Sequence, residues 1–106
     1  MSVMRFVERR LPPPKHGAGV SVPGGHRFQV DIYIGRPFRG HITLTCSGKM
    51  KSAVPSIFSM MTAFKGHETT FHFDTTKETD HIKPITVTVY AETRIHVVEV
   101  RTVLGE

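Results

Sequence analysis

From His26 to Ile34 apolar and polar side chains alternate without interruption: Phe28, Val30, Ile32 and Ile34 against Arg27, Gln29, Asp31 and Tyr33. Strand side chains point to opposite faces with a period of two, so this segment has one wet face and one face to bury. It needs flanking strands for its backbone and a second layer over its apolar side. The single cysteine, Cys46, cannot close an internal disulfide, so the covering layer must be held by packing. With 39% hydrophobic residues over 106 positions, the composition supports one modest core in one domain.

Pro23-Gly24-Gly25 precedes this strand and Gly35-Arg36-Pro37 breaks it. A second alternation follows, with Ile42, Leu44 and Cys46 against His41, Thr43 and Thr45. Two such runs joined by a short Gly/Pro turn predict an antiparallel hairpin. Then the period changes. Ile57, Met60, Met61 and Phe64 fall at i, i+3, i+4 and i+7, which predicts a helix of about three turns. Pro55 fits its first turn, Ser52 or a neighbour its cap and Gly66 its stop. On this reading Ile57, Met61 and Phe64 are core residues, and Phe71 and Phe73 pack against the helix. Period two returns over Thr70–Asp74 and Ile85–Tyr90. In Arg94–Leu104 the apolar phase switches between Val97 and Val98, which predicts a β-bulge or a strand buried on both faces. Ala91-Glu92-Thr93 carries no Gly, Asn or Pro and leaves a turn there open.

The expected fold class is α+β: a mostly antiparallel sheet of about five or six strands with one helix packed on a face. Residues 1–106 form a single domain. Within it, residues 1–25 hold a short strand (Val3–Glu8) and a basic Pro/Gly-rich arm, and residues 26–106 the sheet and helix body. Pro12-Pro13-Pro14 reads as a spacer or a docking peptide.

The net charge of +5 is unevenly spread. Residues 1–66 carry ten Lys/Arg against two acids, and residues 67–106 carry four against seven. The first half is therefore +8 and the second −3, a dipole suited to an anionic partner or to head-to-tail packing of copies. The candidate anion-binding residues are Arg9, Arg10, Arg36, Arg39, Lys49 and Lys51. Arg36 and Arg39 flank Pro37 and Phe38 on an expected hairpin tip, where guanidinium groups can grip phosphate. Otherwise the turn is solvated and Phe38 tucks into the core.

Catalytic spacing is missing. Ser47, Ser52, Ser56 and Ser59 sit in no Gly-x-Ser-x-Gly elbow, and Cys46 reads as a small core residue. No helix follows the glycines of residues 17–24 to receive a phosphate. The expectation is a protein that is not an enzyme and needs no cofactor. Seven histidines invite a metal reading, and His67, His72 and Asp74 are the candidate ligands. His72 and Asp74 share one side of a strand, and His41 would neighbour His72 if their strands pair. No recognised ligand spacing occurs, so no tightly bound metal is expected. No apolar run approaches the roughly 20 residues of a membrane span. Residues 1–6 lack a signal-peptide core, Ser2 stands where N-myristoylation needs glycine, and the absence of Asn excludes a glycosylation sequon. A cytoplasmic location is expected.

Arg36-Pro37-Phe38, Gly40-His41-Ile42-Thr43-Leu44-Thr45 and Ala53-Val54-Pro55-Ser56-Ile57-Phe58 together resemble a stretch of rhabdovirus-type matrix proteins. That family has an Arg-Pro-Phe segment, a Gly-x-Ile-x-Leu-Thr strand and a helix opened by Ala-x-Pro or Ala-Pro. The resemblance covers part of the chain and requires gaps. The family's proline motif ends in tyrosine, whereas Lys15 follows the prolines here, so no budding motif carries over. The resemblance implies a small structural protein, at the membrane periphery or in a virion, that self-associates, binds nucleocapsid and adheres to acidic membrane. The first reading is thus a non-enzymatic assembly protein, a homo-oligomer whose basic half binds nucleic acid or an anionic membrane surface. A second is a protein–protein adaptor or inhibitor acting through a sheet edge or hairpin tip. A third is a histidine-dependent metal-binding protein.

Overall fold

The computed structural model describes residues 4–12, 25–35, 37–56, 59–76 and 84–102. They form eight strands: β1 (Met4–Leu11), β2 (His26–Ile34), β3 (Arg39–Thr45), β4 (Met50–Pro55), β5 (Ser59–Lys65), β6 (Glu68–Asp74), β7 (Ile85–Ala91) and β8 (His96–Thr102). All pairings are antiparallel. The first sheet has the order β1-β2-β7-β4 and the second β5-β6-β3-β8. Only β1–β2 and β5–β6 join neighbours in one sheet; every other connection crosses between sheets.

The alternation in the sequence dictates what lies between them. From the first sheet, Phe28, Val30, Ile32 and Ile34 of β2 and Ile85, Val87, Val89 and Ala91 of β7 point inward. Ile42 and Leu44 of β3 and Phe71 and Phe73 of β6 complete the same core. Phe38, just before β3, stacks on Phe73 with ring centroids 4.7 Å apart and planes 11° from parallel. Gly40 makes room for this stack. A Cβ there would stand 2.2 Å from the Arg101 carbonyl oxygen and 2.6 Å from the Phe38 ring.

The α+β expectation is overturned: the fold is all-β, with no helix among the described residues. The supposed helical stripe is a bulged strand. Met61 lies opposite Phe71, Ala63 opposite Thr70 and Phe64 opposite Thr69, which leaves Thr62 as an extra residue in β5. One inserted residue stretches the two-residue repeat to three, so Met61 and Phe64 share the inward side at i and i+3 just as on a helix. They lie at the sheet's edge, 39% and 42% exposed, and are not core residues; Ile57 lies outside the described residues. Pro55 ends the edge strand β4, where a proline is tolerated.

The expected hairpin of residues 26–46 does not form either. β2 and β3 lie in opposite sheets, their apolar faces meeting across the core. Phe38 decides this, because its burial draws the connection through the interior side of the sandwich. Its N–H donates to Thr75 Oγ1 at 3.0 Å and its carbonyl accepts from Thr75 N at 2.8 Å, which fastens the crossover to the end of β6. The phase switch near Val97 is a bulge, as its pattern predicts: Val97 pairs with Leu44 and Glu99 with Thr43, with Val98 the extra residue. The chain also turns at Glu92-Thr93, where Thr93 Oγ1 accepts the N–H groups of Ser47 and Gly48.

Truncating Phe73 to Ala, at a position with no exposure, is expected to cost about 3–5 kcal/mol. Phe64→Ala is expected to cost about 1 kcal/mol, because much of that ring is already wet. Urea titration of both variants measures the ratio; equal losses would show that the Phe64 ring is buried as deeply as Phe73.

Candidate polyanion-binding face

Because the even positions of β2 are buried, its odd positions lie on the outer face of the first sheet, and cross-strand register places their neighbours. Arg5 lies opposite Tyr33, Val7 opposite Asp31, Arg9 opposite Gln29 and Leu11 opposite Arg27. On the other flank Arg27 lies opposite Tyr90, Gln29 opposite Thr88 and Asp31 opposite Thr86. Tyr90 and Thr88 then lie opposite Ser52 and Val54 of β4, with Lys51 in the bulge beside Ser52. Among the described residues this face carries Arg5, Arg9, Arg27 and Lys51 around two tyrosine rings, with Asp31 as its one acid.

The details favour a prepared surface. The Arg5 guanidinium lies 4.2 Å above the Tyr33 ring centroid, a cation–π contact that fixes a flexible side chain. Arg27 Nη2 donates to the Pro12 carbonyl at 3.0 Å, while its Nε is covered and has no hydrogen-bond partner among the described residues. Asp31 is held by Gln29 Nε2 at 3.0 Å and Thr86 Oγ1 at 2.9 Å, so its lone pairs are engaged by neutral donors. No arginine or lysine of the face is drawn into these bonds.

The six residues singled out from the sequence are distributed over the molecule. Arg9 and Lys51 lie on or beside this face. Arg10 lies opposite Phe28, on the inward phase of β1, and is exposed. Lys49 sits in the turn before β4, its N–H donating to Glu92 Oε1 at 2.8 Å. Arg39 opens β3 in the second sheet, opposite Asp74. Arg36 lies outside the described residues. Arg27, Tyr33 and Tyr90 were legible as polar-phase strand residues and Arg5 only as part of a short N-terminal strand, and their adjacency depends on β1 and β7 flanking β2.

Other polar groups have local duties. Glu8 occupies an inward position of β1, where its carboxylate accepts the Ile95 N–H and pairs with Arg94 Nε at 3.4 Å. It closes one side of a cavity of about 320 Å³ between β1 and β8, lined otherwise by Phe6, Val30, Ile95 and Val97 with Arg94 and His96. Asp74 is held below its ordinary value by hydrogen bonds from the Thr76 hydroxyl and N–H, with smaller help from Arg39 and His72. His67 lies in the β5–β6 turn, at the opposite end of β6 from Asp74. Among the described residues no group of three or more His, Cys, Asp or Glu could hold a metal ion.

No protein-family model matches this chain, and neither does any curated protein or solved structure.

Asp31→Asn removes the face's one acid. It is expected to raise the salt concentration needed to elute the protein from heparin, at a stability loss of about 1 kcal/mol from the weakened hydrogen bonds. A heparin gradient and a denaturant titration report the two effects separately.

Proposed function

We propose that this chain is a non-enzymatic binding and assembly protein whose first sheet presents its outer face to single-stranded nucleic acid. The observation that carries the reading is that face's ratio of four cations to one acid, interleaved with Tyr33 and Tyr90. A backbone of phosphates meets the cations while bases stack on aromatic rings or on guanidinium planes. Nucleic acid suits the face better than a membrane does, since its rings lie half-buried in a polar sheet. Its exposed apolar side chains, Val7 and Val54, lie on opposite edge strands and do not join into one insertable patch.

Self-association is the second part of the proposal, and a specific observation favours it. Among the described residues, both edges of the second sheet carry exposed apolar side chains with no further strand beside them: Met60, Met61 and Phe64 on β5, and Val98 and Val100 on β8. Exposed edges of this kind template strand pairing unless something blunts them. A further copy adding to either edge would extend the assembly and multiply the polyanion contacts.

The test is the salt dependence of binding to a labelled single-stranded oligonucleotide. Each cation that neutralises a phosphate contributes roughly 0.7 to the slope of log affinity against log salt. Replacing Arg5 and Arg9 by Ala is expected to flatten that slope by about 1.4. Replacing Arg39 and Arg101, which lie in the second sheet, is expected to leave it unchanged. Tyr90→Ala is expected to weaken binding by about 1–3 kcal/mol with the slope preserved. Retention on phosphatidylserine vesicles without oligonucleotide binding would transfer the face to a membrane role. Equal effects of both arginine pairs would show that net charge alone is felt.

A further inference from the structure

The second sheet's outer face carries a different chemistry. β6 lies between β5 and β3, and register places Met60 opposite His72 and His72 opposite His41. Three donors from three strands thus stand side by side in one row. Directly opposed residues of antiparallel strands have Cβ atoms about 4.5–5.5 Å apart, close enough for side chains to share one ion. The two imidazoles are already in contact, with centroids 4.9 Å apart and planes inclined by 64°. Two nitrogens sharing an ion through bonds of about 2 Å must come within about 4 Å of each other. His41 Nδ1 is covered and has no hydrogen-bond partner among the described residues. Met60 is 66% exposed, so its thioether is free to swing over the pair.

The geometry points to a copper(I) site made by Met60, His72 and His41. The donor set selects the metal: thioether sulfur is a soft ligand that favours copper(I), and imidazole suits copper as well. The charged side chain in the row itself is a cation. Arg101 lies opposite His41 on β8, and Arg39 lies two residues before it on the same strand. Two neighbouring guanidinium groups oppose a divalent cation more than a monovalent one. Two carboxylates flank the row, one on each side: Asp74, two residues from His72 on the same face, whose Oδ1 Thr76 engages, and Glu99. On the far side Thr43 and Thr70 are occupied with each other at 2.9 Å. Glu99, opposite Thr43, is one row further along. The site is distinct from the first sheet's face and does not rest on the nucleic-acid reading.

The experiment titrates the full chain, anaerobically and under ascorbate, with copper(I) in competition with the chromophoric chelator bicinchoninate. Wild type is expected to withdraw one equivalent. His41→Ala and His72→Ala are each expected to lose it, with their thermal melts showing that the fold persists. Met60→Leu is expected to reduce copper(I) affinity while leaving the weaker zinc(II) binding of the histidine pair unchanged. Cys46→Ala, which removes the buried thiol in the core, is expected to keep the full equivalent. Any of three results overturns the assignment: no copper held by wild type, retention by the His41→Ala variant, or loss in Cys46→Ala alone. A Met60→Leu variant with unaltered preference for copper(I) over zinc(II) would also remove the thioether from the site.

Discussion

Phe38 lying flat on Phe73 is the contact on which the rest of the arrangement depends. A four-residue connection that buries an aromatic ring cannot also be a solvent-exposed hairpin tip. The ring draws the chain across the core, so β2 and β3 end in opposite sheets. Once they are separated, each needs new neighbours, and β7 and β6 supply them. Thr75 holds the crossover by two backbone-directed hydrogen bonds, and Gly40 leaves the space that the ring occupies. Loss of any of these three supports would be felt as loosened packing between the sheets, because native interiors leave few voids to absorb a displaced ring.

The same topology gives the molecule two unlike outer surfaces. The first sheet is flanked by the arginine-bearing β1, which brings Arg5 and Arg9 beside the polar phase of β2. Among the described residues, the later acids Glu68, Asp74 and Glu99 lie in the other sheet and Glu92 in a turn. The second sheet pairs β3 with β6, and its wet face is therefore written in Thr and His. The proposed binding by charge and stacking uses the first surface, and the proposed coordination site the second. Strands β5 and β8 both edge the second sheet, so association through them would leave the first sheet's face open to a polymer.

Much of this was legible in the residues themselves. Period-two alternation identified β2, β3, β6 and β7, whose apolar phases are the observed core, and the slip at Val97-Val98 marked a real bulge. Those features are local: an alternating strand half in water buries the same face whatever its partner. Sequence reasoning failed at the β2–β3 hairpin, at β4, which reads as the start of a helix, and at a second bulge. Thr62 resets the spacing of β5 so that Met61 and Phe64 imitate a helical stripe, and no local signal separates the two periods over seven residues.

Pairing itself was settled by the tertiary structure. Which strand lies beside which is decided by contacts distant in sequence, chiefly the burial of Phe38 and the closing of one core between two sheets. That choice gathered Arg5, Arg27, Tyr33 and Tyr90 on one face and sent Arg39 to the other sheet. It also set Met60, His72 and His41 in a single row, although they lie on three strands. By itself the sequence determined the β-strand character of the core, the excess of positive charge and the absence of a disulfide. Side-chain neighbourhoods across strands follow from register, and register is a property of the closed sandwich, in which a slip of one residue would turn a buried face to water.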